Sequence, residues 1–314
     1  MHLLSVAFLC LNFSADPAQG DPGLPENVVL LRDIRYREGS SRQWVLDLAK
    51  PRQKGARPRP VIVVIHGGGW IEGDKSSFST PDRKVPGNII DFARLEFVAA
   101  TINYRLAGEA PYPAALDDCQ CAVRWLRAHA REHDVDPERI GAYGNSAGGH
   151  LALLLGLSEQ HAASKTDSPR PEQSSRVQAV VSDSGPIDLV YQYEHGSLRG
   201  VVTKFLGGPP EGHRLADYQR ASPMHLVAKS APPMLLIYGT ADTQVPVETA
   251  DRFVVASDRA GVRDVSYHRL AAVDHCPHSI QRVAWLQPAV NEFFQRTLQH
   301  HDSSTKSRSP VKAP

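Results

Sequence analysis

Cysteine is scarce. Cys10, Cys119, Cys121 and Cys276 are the only four in 314 residues, too few for a disulfide framework. An excess of charge of either sign is also lacking. Lys and Arg total 35 against 34 Asp and Glu, a net charge of +1. This balance gives no electrostatic footprint for nucleic acid or for a polyanionic substrate. The N-terminal apolar run, Leu3 to Phe13, is too short to cross a bilayer. The composition also excludes collagen-like, coiled-coil and membrane-channel proteins. What remains is a chain with 41% hydrophobic residues. At this length roughly three quarters of the unfolded surface can be buried, so a core needs no staples.

The ends carry separate expectations. Leu3 to Phe13 has the length of a signal-peptide core, and Ala15 and Ala18-Gln19-Gly20 offer small residues for cleavage. Residues 1–20 therefore read as a signal peptide of a secreted or periplasmic protein. No Lys or Arg precedes the run, which leaves a cytoplasmic location as the alternative. Cys10 would leave with the signal, and Phe8-Leu9 before it make a poor lipid-anchor site. Cys119 and Cys121 are too close on one helix to bridge easily. Residues 301–314 are polar with two prolines and read as a disordered tail.

Between the ends, short β-rich apolar runs alternate with helical patterns, which predicts a mostly parallel sheet covered on both faces. The candidate strands are Val61 to Ile65, Phe97 to Ile102, Arg139 to Tyr143, Val177 to Ser182, Met234 to Tyr238 and Val265 to Leu270. A hairpin is expected over Val28 to Leu48, turning at Glu38-Gly39-Ser40-Ser41. Helices are expected over Ala114 to His133, Ala147 to Leu157, Glu248 to Ala260 and Pro288 to Leu298. Glu159 to Arg176 is polar and reads as a mobile loop. Tyr191 to Ala228 has little regular pattern and sits where a small cap could be inserted. One domain is expected.

The strongest chemical signal is Gly144-Asn145-Ser146-Ala147-Gly148, a G-x-S-x-G nucleophile elbow between a strand and a buried helix. A serine on such a turn has a strained backbone, and larger residues at 144 and 148 would collide with the adjoining strand or helix. The helix that follows presents its positive end to developing negative charge. A glycine-rich βα turn without chemistry is the plainer alternative.

The second signal is His66-Gly67-Gly68-Gly69-Trp70, directly after a predicted strand. Successive glycines let backbone N–H groups face inward. With the N–H of Ala147 they can form an oxyanion hole. Gly68 and Gly69 are the expected donors, Gly67 the turn, and His66 an anchor for the loop. A phosphate-binding loop is the competing reading, but the chain has no G-x-x-x-x-G-K-[ST] pattern.

In this order and separation the two motifs resemble those of the α/β-hydrolase superfamily. The similarity is to its HGGG-type esterases and lipases, both hormone-sensitive-lipase-like and bacterial acetyl- or feruloyl-esterase-like. It runs over residues 28–298. It includes Trp70-Ile71-Glu72-Gly73-Asp74-Lys75, Asn103-Tyr104-Arg105-Leu106, Asp118 with Ala122-Val123-Arg124-Trp125-Leu126, and Asp136-Pro137-Glu138-Arg139-Ile140. The resemblance implies an α/β-hydrolase fold, a mostly parallel central sheet with helices on both faces and a small cap insertion.

It also implies a nucleophile–acid–base order along the chain. The acid is then Asp242, in Gly239-Thr240-Ala241-Asp242 just past a predicted strand, with a loop cap as its plainer role. The base is His275, a few residues beyond Leu270. The Gly expected after it is replaced by Cys276-Pro277, which leaves His278 as the alternative. Trp70 is expected to contact substrate. No C-x-x-C set occurs, and no metal or other cofactor is implied.

The expected activity is hydrolysis of short-chain, acetyl-type esters by Ser146, His275 and Asp242. The substrate would be a small-molecule or polysaccharide-linked ester, without nucleic acid or membrane insertion. A formamidase or peptidase would use the same residues on an amide. A binding module that has lost catalysis is the alternative from another class.

Overall fold

The computed structural model describes residues 21–81, 85–158 and 169–299. The expected signal peptide (1–20) and tail (301–314) lie outside them, as does most of the polar loop after residue 158. Eight strands form one sheet: β1 (Val28–Arg35), β2 (Val45–Pro51), β3 (Arg59–Ile65), β4 (Val98–Ile102), β5 (Val135–Asn145), β6 (Ala179–Asp183), β7 (Met234–Gly239) and β8 (Val265–Leu270). Their order is β1-β2-β4-β3-β5-β6-β7-β8. β2 is antiparallel to both β1 and β4, and every pairing from β4 to β8 is parallel.

The predicted hairpin and all six predicted strands are present. Every residue of β3 is buried, the pattern of a strand covered on both faces. Its side chains alternate between two cores. Val61, Val63 and Ile65 enter one, Ile62 and Val64 the other. The first core is covered by α2 (Ala114–Ala128), α4 (Ala147–Leu157) and α8 (Val247–Arg259). The second is covered by α1 (Ile89–Arg94) and α9 (Leu286–Phe294). A short helix, α3 (Ala130–His133), follows α2.

Two expectations need correction. The single helix predicted over 114–133 breaks at His129, whose N–H donates to the carbonyls of Trp125 and Arg127. The stretch read as irregular, 191–228, holds three short helices: α5 (Leu189–His195), α6 (Arg199–Leu206) and α7 (Arg214–Arg220). Each spans about two turns, too short for a 3.6-residue rhythm to stand out. They bury Leu189, Val202, Phe205 and Tyr218 against the first core, beside the C-terminal ends of the parallel strands. In open α/β sheets that end carries the ligand crevice.

Candidate active site

β5 runs directly into α4, and Ser146 occupies the joint with φ 51° and ψ −123°. A non-glycine residue in this region carries strain that must be held by its surroundings. Here the N–H of Ser146 donates to the Asp183 carbonyl (2.8 Å), and its own carbonyl accepts the first helical bond from His150 N (3.0 Å). A Cβ on Gly144 would stand 2.2 Å from the Gly148 oxygen, and one on Gly148 2.0 Å from the Ile65 oxygen. The elbow therefore needs both glycines. Ala147 follows as the first residue of α4, where a backbone N–H has no partner inside the helix.

The glycine loop after β3 approaches the elbow closely. Gly68, Gly69 and Trp70 all have positive φ (99°, 57° and 58°), whereas Gly67 does not. The turn thus falls on Gly68 to Trp70, where the Gly68 carbonyl accepts from Ile71 N (3.0 Å) and Glu72 N (3.1 Å). Gly67 is favoured by close approach instead: a Cβ there would lie 3.0 Å from the Asn145 carbonyl and 3.3 Å from Ser146 Cβ.

His66 is buried and stacks on Tyr104 with ring centroids 4.4 Å apart. Its Nδ1 lies 2.8 Å from the Gly67 carbonyl. Burial lowers its pKa, so the ring is a neutral support for the loop. Tyr104 donates its hydroxyl to the His66 carbonyl at 3.0 Å. Tyr104 is held by its neighbours in turn. The Arg105 guanidinium makes two bonds to the buried Asp118 carboxylate, 2.8 and 2.9 Å long, and the backbone N–H of Arg105 a third at 2.9 Å. Asn103 accepts from Lys75 N (2.6 Å) and donates to Asp74 (2.8 Å). These contacts account for the motifs around 70–75, 103–106 and 118.

Trp70 does not take its expected place. It is 2% exposed, stacked on Phe205 of α6 at 4.3 Å and edge-on to His150 at 5.1 Å. It joins the glycine loop to the cap helices and lies in the core. The same helix covers Gly69, where a Cβ would meet Val201 Cγ1 at 2.6 Å.

The loops after β7 and β8 bring Asp242 and His275 together. His275 Nδ1 donates to Asp242 Oδ2 across 2.6 Å, with both side chains buried. The other Asp242 oxygen accepts from Gln244 N (2.8 Å) and Val245 N (2.9 Å). Asp242 therefore caps its loop and orients an imidazole at once. With Nδ1 engaged, Nε2 is the nitrogen left for a proton acceptor's role. No hydrogen bond joins the imidazole to Ser146 Oγ; such contacts often tighten only when substrate is bound.

His278 faces the interior. Its Nε2 donates to Gln287 Oε1 (3.0 Å) and its Nδ1 accepts from Tyr143 Oη (2.9 Å), so both nitrogens are occupied. Burial lowers its pKa and keeps it neutral. Cys276 is fully buried and its thiol pKa is pushed well up by burial, which suits a filler and not a nucleophile. Asp188 caps α5, and Asp251 binds Tyr267 and Arg269.

A cavity of about 420 Å³ opens beside the elbow, bounded among others by Gly67, Gly68, Asn145, Ser279, Ile280 and Arg282. A larger depression, about 820 Å³, lies near β1 and includes neither the elbow, the glycine loop, Asp242 nor His275. No sequence pattern marks Asp183, Ser184 or Ser279, although Asp183 and Ser184 bind the loop that carries His275 and Ser279 lies on it.

The model of the BD-FAE family matches residues 46–256, which takes in the strands from β2 to β7 and the whole elbow. Esterase LipC of Mycobacterium tuberculosis is 29% identical over 250 residues, covering 76% of this chain and 58% of LipC. The chain spans about half the length of the curated relatives it matches. A thermophilic esterase from the Planctomycetes species Thermogutta terrifontis is 27% identical with TM-score 0.67, covering 86% of this chain and 92% of its own. The same esterase with propionate bound is 28% identical with TM-score 0.63, over 88% and 93% of the two chains. A truncated carbohydrate esterase from gut microbiota shares the fold at TM-score 0.73 and 22% identity, over 86% and 96%.

Proposed function

This chain belongs to the BD-FAE family, and on that footing we propose that it is a serine carboxylic-ester hydrolase acting on short acyl groups. The observation that carries the reading is the 2.6 Å hydrogen bond between His275 and Asp242 on loops converging on a strained Ser146. In this reading Ser146 Oγ attacks the ester carbonyl while His275 Nε2 takes its proton. Asp242 holds the imidazole in the tautomer that leaves Nε2 free to accept, and stabilises the imidazolium that forms. The carbonyl oxygen becomes an oxyanion beside the N–H groups of Gly68, Gly69 and Ala147. One such donor is typically worth about 3 kcal/mol in the transition state. His275 then gives its proton to the departing alcohol. Water repeats the sequence and releases the acid.

Two observations support the short acyl preference. The propionate-bound relative accommodates a three-carbon acid, and Val201 of α6 crowds Gly69 so closely that an added Cβ would stand 2.6 Å from Val201 Cγ1. The test is Ser146→Ala assayed on p-nitrophenyl acetate, with fluorophosphonate labelling of the parent as a second readout. The reading expects loss of turnover in the variant and labelling of the parent at Ser146. Turnover at the parent rate in Ser146→Ala would overturn it. A panel from acetyl to palmitoyl esters tests the chain length, and faster release of long-chain acids would refute the short-acyl part.

A further inference from the structure

The end of β6 is tied to both halves of the site. Asp183 pairs in register with Asn145 of β5, so its main chain lies directly alongside the elbow. Its carbonyl accepts from Ser146 N at 2.8 Å. Its carboxylate, fully buried, points to the loop beyond β8 instead. There it accepts from His278 N (3.3 Å), Ser279 N (2.9 Å) and Ser279 Oγ (2.7 Å). The next residue continues the pattern: Ser184 Oγ accepts from Cys276 N at 3.1 Å, one residue from the base. The Cys276 thiol leans on the Asp183 carbonyl at 3.7 Å.

The segment held this way has its own strain. Cys276 has φ 53° and Ser184 φ 54°, both in the left-handed region. Neither conformation persists unless its surroundings enforce it. We propose that Asp183 and Ser184 are positioning residues for the reaction, fixing the spacing between Ser146 and His275 by holding one through the backbone and the other through its loop. The proposal rests on the esterase reading. It adds a role to residues that touch neither substrate nor the reacting atoms. A carboxylate accepting several N–H and O–H donors is a strong, directional anchor. A base displaced by about 1 Å can cost on the order of 100-fold in rate.

The experiment compares the parent with Asp183→Asn and Ser184→Ala on p-nitrophenyl acetate, measuring kcat and KM separately. It adds thermal melting and the far-downfield proton resonance of the His275–Asp242 hydrogen bond. Positioning predicts that kcat falls roughly 10- to 100-fold in Asp183→Asn and less in Ser184→Ala, with KM within about threefold. The downfield resonance should shift or broaden in both variants. Folded variants that keep the parental kcat would overturn the proposal. So would variants whose lost rate follows lower melting alone, with the resonance unmoved. If Asp183→Asn does not fold, Ser184→Ala decides, since it removes one hydroxyl and introduces no buried charge. A parent that neither hydrolyses the ester nor labels with a fluorophosphonate would mark failure of the esterase reading instead.

Discussion

Gly148 lies so close to Ile65 that a Cβ built on it would stand 2.0 Å from the Ile65 carbonyl oxygen. The contact joins α4 to the end of β3, and through them the elbow to the glycine loop. Neither partner can yield cheaply, because both are backbone. Gly148→Ala is expected to cost on the order of 3 kcal/mol or more. The melting temperature should then fall by roughly 5 to 10 °C. Gly200→Ala is the control. It lies within α6, has nothing within 4 Å of its Cβ position, and should be neutral or slightly stabilising. Circular dichroism melts of the two variants check the contrast; equal melting temperatures would contradict it.

Asp242 has two duties, and they can be separated. One oxygen caps the loop through Gln244 and Val245, the other holds His275. Asp242→Asn keeps the shape, but the amide no longer fixes the required imidazole tautomer. The expected loss in kcat on p-nitrophenyl acetate is about 10³- to 10⁴-fold with nearly unchanged KM. Retention of more than a tenth of the parental rate would argue against Asp242 as the acid.

How far the sequence discloses the site depends on whether a residue's role is local. Gly144, Gly148 and the glycines at 67–69 are visible because backbone geometry over a few residues demands them. Asp242 and His275 are placed only through the family order, since the bond between them is made by the ends of two different strands. Trp70 shows the limit. An aromatic side chain beside a glycine loop reads as a substrate contact, yet the partner that buries it is Phe205, on a helix too short to announce itself. Gly67 shows it again, because three glycines in a row do not say which one turns. Asp183 is silent in sequence for the same reason: its partners, Ser146 and Ser279, come from the neighbouring strand and a distant loop.

The stack of Trp70 on Phe205 links the glycine loop to the cap, so its removal should be felt in both stability and rate. Phe205 is 1% exposed and also touches Tyr112 and His150. Phe205→Ala is expected to destabilise by about 3–5 kcal/mol. It should also lower kcat, because the loop bearing Gly68 and Gly69 loses its outer support. Phe205→Leu keeps most of the volume and should cost less in both measures. A chemical denaturation series run beside the ester assay checks this. A Phe205→Ala protein with parental kcat would show that the cap and the oxyanion donors are independent.

His150 makes stability depend on acid. It is fully buried on α4, donates from Nε2 to the Ala221 carbonyl at 2.7 Å, and burial lowers its pKa from 6.5 to about 4. Between those values the unfolded chain binds a proton that the folded chain refuses. Stability therefore rises with pH across the window and is lost as pH falls from about 6.5 toward 4. The full difference corresponds to about 3 kcal/mol. The buried rings of His66 and His278, also lowered by burial, act in the same direction. Asp183, raised by burial, opposes them at the acid end, because its folded form holds a proton more readily. The difference between parent and variant isolates His150. In His150→Gln, whose amide can still donate to Ala221, melting temperature measured from pH 7 to pH 4 should fall less steeply than in the parent. Parallel melting curves for the two proteins would show that His150 is not a source of acid sensitivity.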